Sequence, residues 1–211
     1  MAVRDTRLRI LLTARRLFNR HGTRAITTNH IAKELAISPG NLYYHFRNKE
    51  EIIREILEQM NEGWADFWVR NHPPSLEDLI DVSNRALFLM WDYRFLNREL
   101  GALLQQDPVL KKRYRAVRGK RMKESESFLH GLVDSGVLRK PEDPKALPAL
   151  LTIMWLVPEN WLSTLDIRGE TINKKTVEES IDLILQIMRP YLSKRAISEL
   201  DRIREGQEGT S

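Results

Sequence analysis

Hydrophobic positions recur along this chain with the 3.6-residue period of helices, and nowhere does a two-residue alternation compete with it. Ile10, Leu11, Ala14, Leu17 and Phe18 mark a first helix over 5–21, with Gly22 following as a left-handed stop. Ile31, Ala32, Leu35, Ile37, Leu42 and Phe46 then supply the apolar contacts for two short helices that cross steeply around a tight turn. Thr27 or Thr28 caps the first of the pair. Ser38 caps the second, with Pro39 at its first position, where a missing N–H costs nothing. Asn48-x-x-Glu51 reads as a capping box that opens a long helix over 49–70. Ile52, Ile53, Ile56, Leu57, Met60, Trp64, Phe67 and Trp68 form its apolar face.

His72-Pro73-Pro74 breaks that helix, and Ser75-x-x-Asp78 caps the next, over about 76–92. Another covers about 95–106. Asp107-Pro108 starts a long basic helix that ends before Gly136. Asp143-Pro144 opens a helix of about 144–166 that is apolar nearly all round, with Pro158 expected to kink it. Thr176-x-x-Glu179 caps the last large helix, to about 192. Residues 194–211 are densely charged and read as a flexible tail. The pattern predicts an all-α fold.

Composition narrows the chemistry. With 42% hydrophobic and 30% charged residues the chain resembles an ordinary soluble globular protein. It has no cysteine, so disulfides, thiolate metal sites and cysteine nucleophiles are excluded. The five histidines are scattered without metal-ligand spacing, and no Gly-rich phosphate loop or nucleophile elbow is present. No catalytic residue, metal or cofactor is therefore expected, and the chain does not read as an enzyme. No apolar run reaches membrane-spanning length, and no signal core follows the arginine-rich start, so a cytoplasmic location is expected. The formal net charge of +5 is unevenly placed: residues 1–50 carry ten Lys/Arg against three Asp/Glu, a net +7. The positive charge thus coincides with the short helix pair, as expected for a polyanion partner.

The second short helix also carries the groups such a partner needs. Asn41, Tyr43, Tyr44 and His45 are polar groups able to bond phosphates or base edges, and Asn29 stands in the first turn of the helix before it. Lys49 adds its charge to a helix N-terminus, which favours phosphate. Arg4 and Arg7 lie where an N-terminal arm would reach DNA. Leu17-Phe18…Gly22…Thr28…Ile31-Ala32…Leu35-Ala36-Ile37-Ser38…Leu42-Tyr43-Tyr44-His45-Phe46…Lys49-Glu50 resembles the TetR family of bacterial regulators over roughly residues 6–52.

That resemblance implies about nine helices. It places a three-helix DNA-binding helix-turn-helix domain at 1–50 and an effector-binding and dimerisation domain at 51–193, with the tail at 194–211. It puts phosphate contacts on Thr28, Tyr43, Tyr44, His45 and Lys49, and base reading on Asn29, Pro39, Gly40 and Asn41. The turn position usually held by Gly is Ala36 here. The implied partners are a double-stranded DNA operator, an unidentified small-molecule effector, and a second copy of the chain. The copies would pair through the two last large helices, about 144–166 and 177–192.

An effector pocket between helices is largely apolar and aromatic, which makes Trp64, Trp68, Met90, Trp91, Phe95, Phe128 and Trp155 wall candidates. Ordinary core packing is the competing reading of the same residues. The expected function is a ligand-released repressor; the alternatives are an activator of the same family and a helical small-molecule carrier.

Overall fold

The computed structural model describes residues 2–65, 67 and 71–208. Among these there are ten α-helices and no strand, so the all-α expectation holds with one helix more than about nine. The first four are α1 (Ala2–His21), α2 (Thr28–Glu34), α3 (Pro39–His45) and α4 (Lys49–Trp64). Then come α5 (Leu76–Asp92), α6 (Arg94–Gln106), α7 (Pro108–Asp134), α8 (Ala146–Ile167), α9 (Lys174–Met188) and α10 (Lys194–Glu208). A short 3-10 turn, Arg189–Tyr191, follows α9.

Helix starts follow local chemistry. The Ser75 hydroxyl accepts from the Asp78 N–H at 3.2 Å while Asp78 accepts from the Ser75 N–H at 2.9 Å, the expected box at the start of α5. Asp107 accepts from the N–H groups of Val109 and Leu110, both at 2.9 Å, and opens α7 as expected. Two starts fall elsewhere. α9 begins at Lys174 because Asn173, not Thr176, is the cap, and Thr176 closes that box as its third helical residue. α8 begins at Ala146 because Asp143 closes a turn instead, accepting from the N–H of Lys145. It then runs unbroken through Pro158.

Two further differences concern helix ends. α4 stops at Trp64 rather than near 70, and the Ala65 N–H bonds Glu62 three residues back. Gly63 is a poor helix former, and a Cβ there would stand 2.9 Å from Leu89, so the backbone meets a neighbour where the helix frays. Phe67 lies beyond the helix, buried; Trp68 lies outside the described residues. The expected tail is largely helix: α10 covers 194–208, with Ala196 and Leu200 buried one turn apart among charged neighbours.

Packing divides the chain into two compact units. The first comprises Met1–Ala65 and Leu89–Val117. Its core joins Ile10, Ala14 and Phe18 of α1 to Leu42 and Phe46, to Ile52 and Ile56 of α4, and to Phe95, Leu96 and Leu103 of α6. This unit reaches past residue 50 because α6 lends its apolar face to the core of α1: the Phe18 and Phe95 rings lie 5.2 Å apart. The second unit comprises Asp66–Phe88 and Arg118–Ser211. There α8 and α9 pair extensively, burying Leu150, Leu162 and Leu165 of one helix and Val177, Ile181 and Ile184 of the other.

Candidate nucleic-acid interface

Turn geometry decides what α3 presents. Ala36 sits at φ 53, the one non-glycine residue with positive φ among the described residues. Its N–H donates to the Lys33 carbonyl at 3.1 Å, and the Ile37 N–H donates to the Ala32 carbonyl at 3.0 Å. This is the paired closure that ends a helix on a left-handed residue, built on Ala instead of Gly. The chain then enters α3 through Ser38, whose hydroxyl accepts from the Asn41 N–H at 3.1 Å. Leu42 is fully buried, so the flanking side chains of α3 point elsewhere.

Thr27, rather than Thr28, caps α2: its hydroxyl accepts from the His30 N–H, and His30 Nδ1 accepts from the Thr27 N–H, both at 3.3 Å. The Thr28 hydroxyl instead shares a 3.0 Å hydrogen bond with the phenol of Tyr43. Two expected phosphate-binding groups thus meet, one from each helix of the pair. Tyr44 is 75% exposed and its ring stands edge-on to half-buried His45 at 5.2 Å. Asn29, Pro39, Gly40 and Asn41 are all exposed.

Lys49 behaves differently. It opens α4 as expected, but its ammonium donates to the Thr23 carbonyl at 2.7 Å and the residue is half-buried. Asn48 caps the helix by accepting from the Glu51 N–H at 2.8 Å. The Glu51 carboxylate bonds the Arg47 N–H at 2.7 Å rather than that of Asn48, so the expected box closes on one side only. Arg7 does not extend as a free arm: it pairs with Glu55 at 2.9 Å and lies over the Phe46 ring. The side chain of Arg4 lies outside the described residues.

Support for this head comes from residues that no local pattern marks. The Asn19 amide donates to the Asp92 carbonyl at 2.8 Å and accepts from the Phe95 N–H at 3.1 Å, so a side chain of α1 bonds the start of α6. Glu99 accepts from the N–H and hydroxyl of Thr23, 76 residues away. Sequence spacing carries no signal at such separations.

The effector candidates fall in both units. Trp64, Met90, Trp91 and Phe95 belong to the first, Phe128 and Trp155 to the second. Met90, Phe95 and Phe128 are buried, and the other three are half-buried. The Arg94 guanidinium lies 4.3 Å over Trp91, and its burial pushes its pKa below the usual arginine value. Arg118 lies 5.6 Å over Trp155 and pairs in bidentate fashion with Glu159. A cavity of about 220 Å³ in the second unit is lined instead by Pro74, Ser75, Glu77, Ser135, Arg195 and Glu199, among others. Among the described residues no His, Cys, Asp and Glu cluster could hold a metal, and no helix is long and apolar enough to cross a membrane.

A helix-turn-helix with polar groups on its second helix, in an all-helical chain, defines a DNA-binding regulator class. The model described as bacterial regulatory proteins, tetR family, matches residues 10–56, and that described as a bacterial transcriptional repressor, TetR, matches 48–200. The chain belongs to the TetR family of bacterial transcriptional regulators.

A solved TetR-family regulator from Marinobacter aquaeolei VT8 is 35% identical, with a TM-score of 0.85 over 95% of this chain and 98% of that one. The HTH-type transcriptional regulator QacR of Staphylococcus aureus strain Mu50 is 35% identical over 91 residues, 43% of this chain and 45% of that protein. The negative transcriptional regulator IcaR of the biofilm operon in Staphylococcus epidermidis is 39% identical over 64 residues, 30% of this chain and 35% of that protein. The chain thus aligns with less than half the length of these curated relatives.

Proposed function

We propose that this protein is a ligand-released repressor that binds a pseudo-palindromic operator as a homodimer in the cytoplasm. The observation that carries the reading is the presentation of α3: its N-terminal residues Pro39, Gly40 and Asn41 are exposed, on a helix fixed from behind by buried Leu42 and Phe46. Asn29, Pro39, Gly40 and Asn41 read bases, while Thr28, Tyr43, Tyr44, His45 and Lys49 hold phosphates. No arginine stands on α3 for a bidentate guanine contact, so Asn41, thymine methyl contacts at Pro39 and DNA deformability carry discrimination.

Two recognition helices of a dimer would sit in successive major grooves, ~34–36 Å apart. The effector releases DNA by binding the incompatible state of the dimer more tightly than the competent one. Residues 51–193 supply the effector site and the dimer contacts, the wall candidates being Trp64, Met90 and Trp91 in the first unit, or Phe128 and Trp155 in the second. Repression is favoured over activation because occupying a promoter needs no contact with polymerase, and because the curated relative IcaR is named a negative regulator.

Selection from a random duplex library at fixed, near-physiological salt tests the reading. The expected result is an enriched inverted repeat, with a changed preference within each half-site for Asn41→Ala. Binding without enrichment that vanishes as salt rises would leave only non-specific affinity and favour the carrier.

A further inference from the structure

The first turn of α4 is tied to α6 through one residue. Lys49 donates to the carbonyl of Thr23 at 2.7 Å, and Thr23 gives its own N–H to the Glu99 carboxylate at 3.0 Å, its hydroxyl bonding the same group. Thr23 is only 4% exposed, so its end of these bonds is shielded from water, while Lys49 and Glu99 are half-buried. The carboxylate reaches it because α1 ends on Gly22, at φ 77, where a Cβ would stand 3.0 Å from Glu99 Oε1. Two side chains remote in sequence are thus joined through Thr23 by charge-assisted bonds: the Lys49 ammonium on its backbone carbonyl, and the Glu99 carboxylate on its N–H and hydroxyl.

A lysine has four rotatable carbons and three N–H groups. Left alone, it loses much rotamer freedom on meeting a phosphate; held in advance, it loses less. Here one N–H is engaged by Thr23, and two remain for a second acceptor. We propose that Glu99 is a positioning residue for DNA binding: by fixing Thr23 it holds the Lys49 ammonium, at the N-terminus of α4, in the pose that meets a DNA phosphate. The inference rests on the reading of Lys49 as a phosphate contact, and it adds a residue of α6 to the determinants of operator affinity.

The test measures affinity for a labelled duplex carrying the enriched sequence, over a salt series, for wild type, Lys49→Ala, Glu99→Ala, Glu99→Gln and the Lys49→Ala/Glu99→Ala pair. Lys49→Ala weakens binding and flattens the salt slope by about one unit. Glu99→Ala weakens it about three- to tenfold and moves the slope toward that of Lys49→Ala. Glu99→Gln keeps an acceptor for the Thr23 N–H and stays within about twofold of wild type. In the Lys49→Ala background, Glu99→Ala costs nothing further.

A Glu99→Ala penalty that persists undiminished without Lys49, or that leaves the slope unchanged, overturns the proposal and leaves Glu99 as a loop support. If Lys49→Ala alone changes neither affinity nor slope, the reading of Lys49 falls and the proposal with it, and that result is read on a variant with Glu99 intact. Should Glu99→Ala fail to fold, as judged by its melting curve, Glu99→Asp takes its place: it withdraws the carboxylate by one methylene and keeps the charge.

Discussion

At the scale of single residues, Ala36 is where backbone cost and turn geometry meet. An L-residue in the left-handed region costs roughly 1–2 kcal/mol, and Ala36 holds φ 53 with its side chain exposed. Glycine would remove that cost, but it raises the entropy of the unfolded chain by about 0.4–1 kcal/mol. The first effect is the larger, so Ala36→Gly is expected to stabilise the protein by about 0.5–1 kcal/mol, read as a higher Tm. The selected DNA motif should not change, because both backbone bonds that close the turn survive the substitution. A lower Tm would mean that the Ala36 methyl contributes packing, contrary to its exposure. This residue was legible in the sequence, through its place in the resemblance. Thr23 and Glu99 were not: each is an ordinary polar residue until the fold brings positions 76 apart together.

At the scale of elements, the start of α7 shows how a cap becomes a tie between helices. Asp107 bonds two amides of its own helix and pairs with Arg54 of α4 in bidentate fashion, Nε at 2.7 Å and Nη2 at 3.0 Å, while only 6% exposed. Burial alone would raise its carboxyl pKa, but the Arg54 guanidinium and the two amides outweigh it, and the net shift is downward. A folded-state pKa below the unfolded value means stabilisation that is present above about pH 3.9 and lost as pH falls through the folded value. Asp107→Ala should cost about 2–4 kcal/mol at neutral pH, because it removes a cap and strands the buried part of Arg54. Asp107→Asn keeps an acceptor and should lose less stability than wild type on going from neutral to pH ~3. Urea titrations at the two pH values check this, and identical losses for variant and wild type would remove Asp107 from the acid response.

Caps such as Ser38, Ser75 and Asp107 were legible because a cap bonds its own chain three residues on. At the start of α9 the spacing pointed to Thr176 with Glu179, whereas Asn173 is the cap and Thr176 the third helical residue, because either side chain can cap at that spacing. Near the end of α4 the Gly63 backbone passes close to Leu89 of another helix, a contact that no local pattern contains.

At the scale of the whole molecule, the exposed apolar residues of α8 and α9 bear on assembly. Ile153, Leu156 and Ile167 recur on one stripe of α8, with exposures of 36%, 56% and 86%, and Leu183 of α9 is 40% exposed. Single exposed leucines are unremarkable, but three apolar residues on one stripe of α8, beside Leu183 of the α9 that packs on it, suit the subunit contact of the proposed dimer. The sequence carried part of this: α8 read as apolar nearly all round, which a helix buried on one side alone does not need. In the proposed dimer these residues lie between the copies, so a charge there must be desolvated without a partner. Leu156→Glu should therefore yield monomers by sedimentation while leaving helix content unchanged. Its affinity for the enriched inverted repeat should fall on the order of a hundredfold or more, because the second half-site is no longer held at high effective concentration. Affinity for a single half-site should stay as in the parent, since the α3 face is untouched. A Leu156→Glu protein that remains dimeric would place the subunit contact elsewhere on the chain, and one that is monomeric yet binds the repeat undiminished would remove the need for a dimer in recognition.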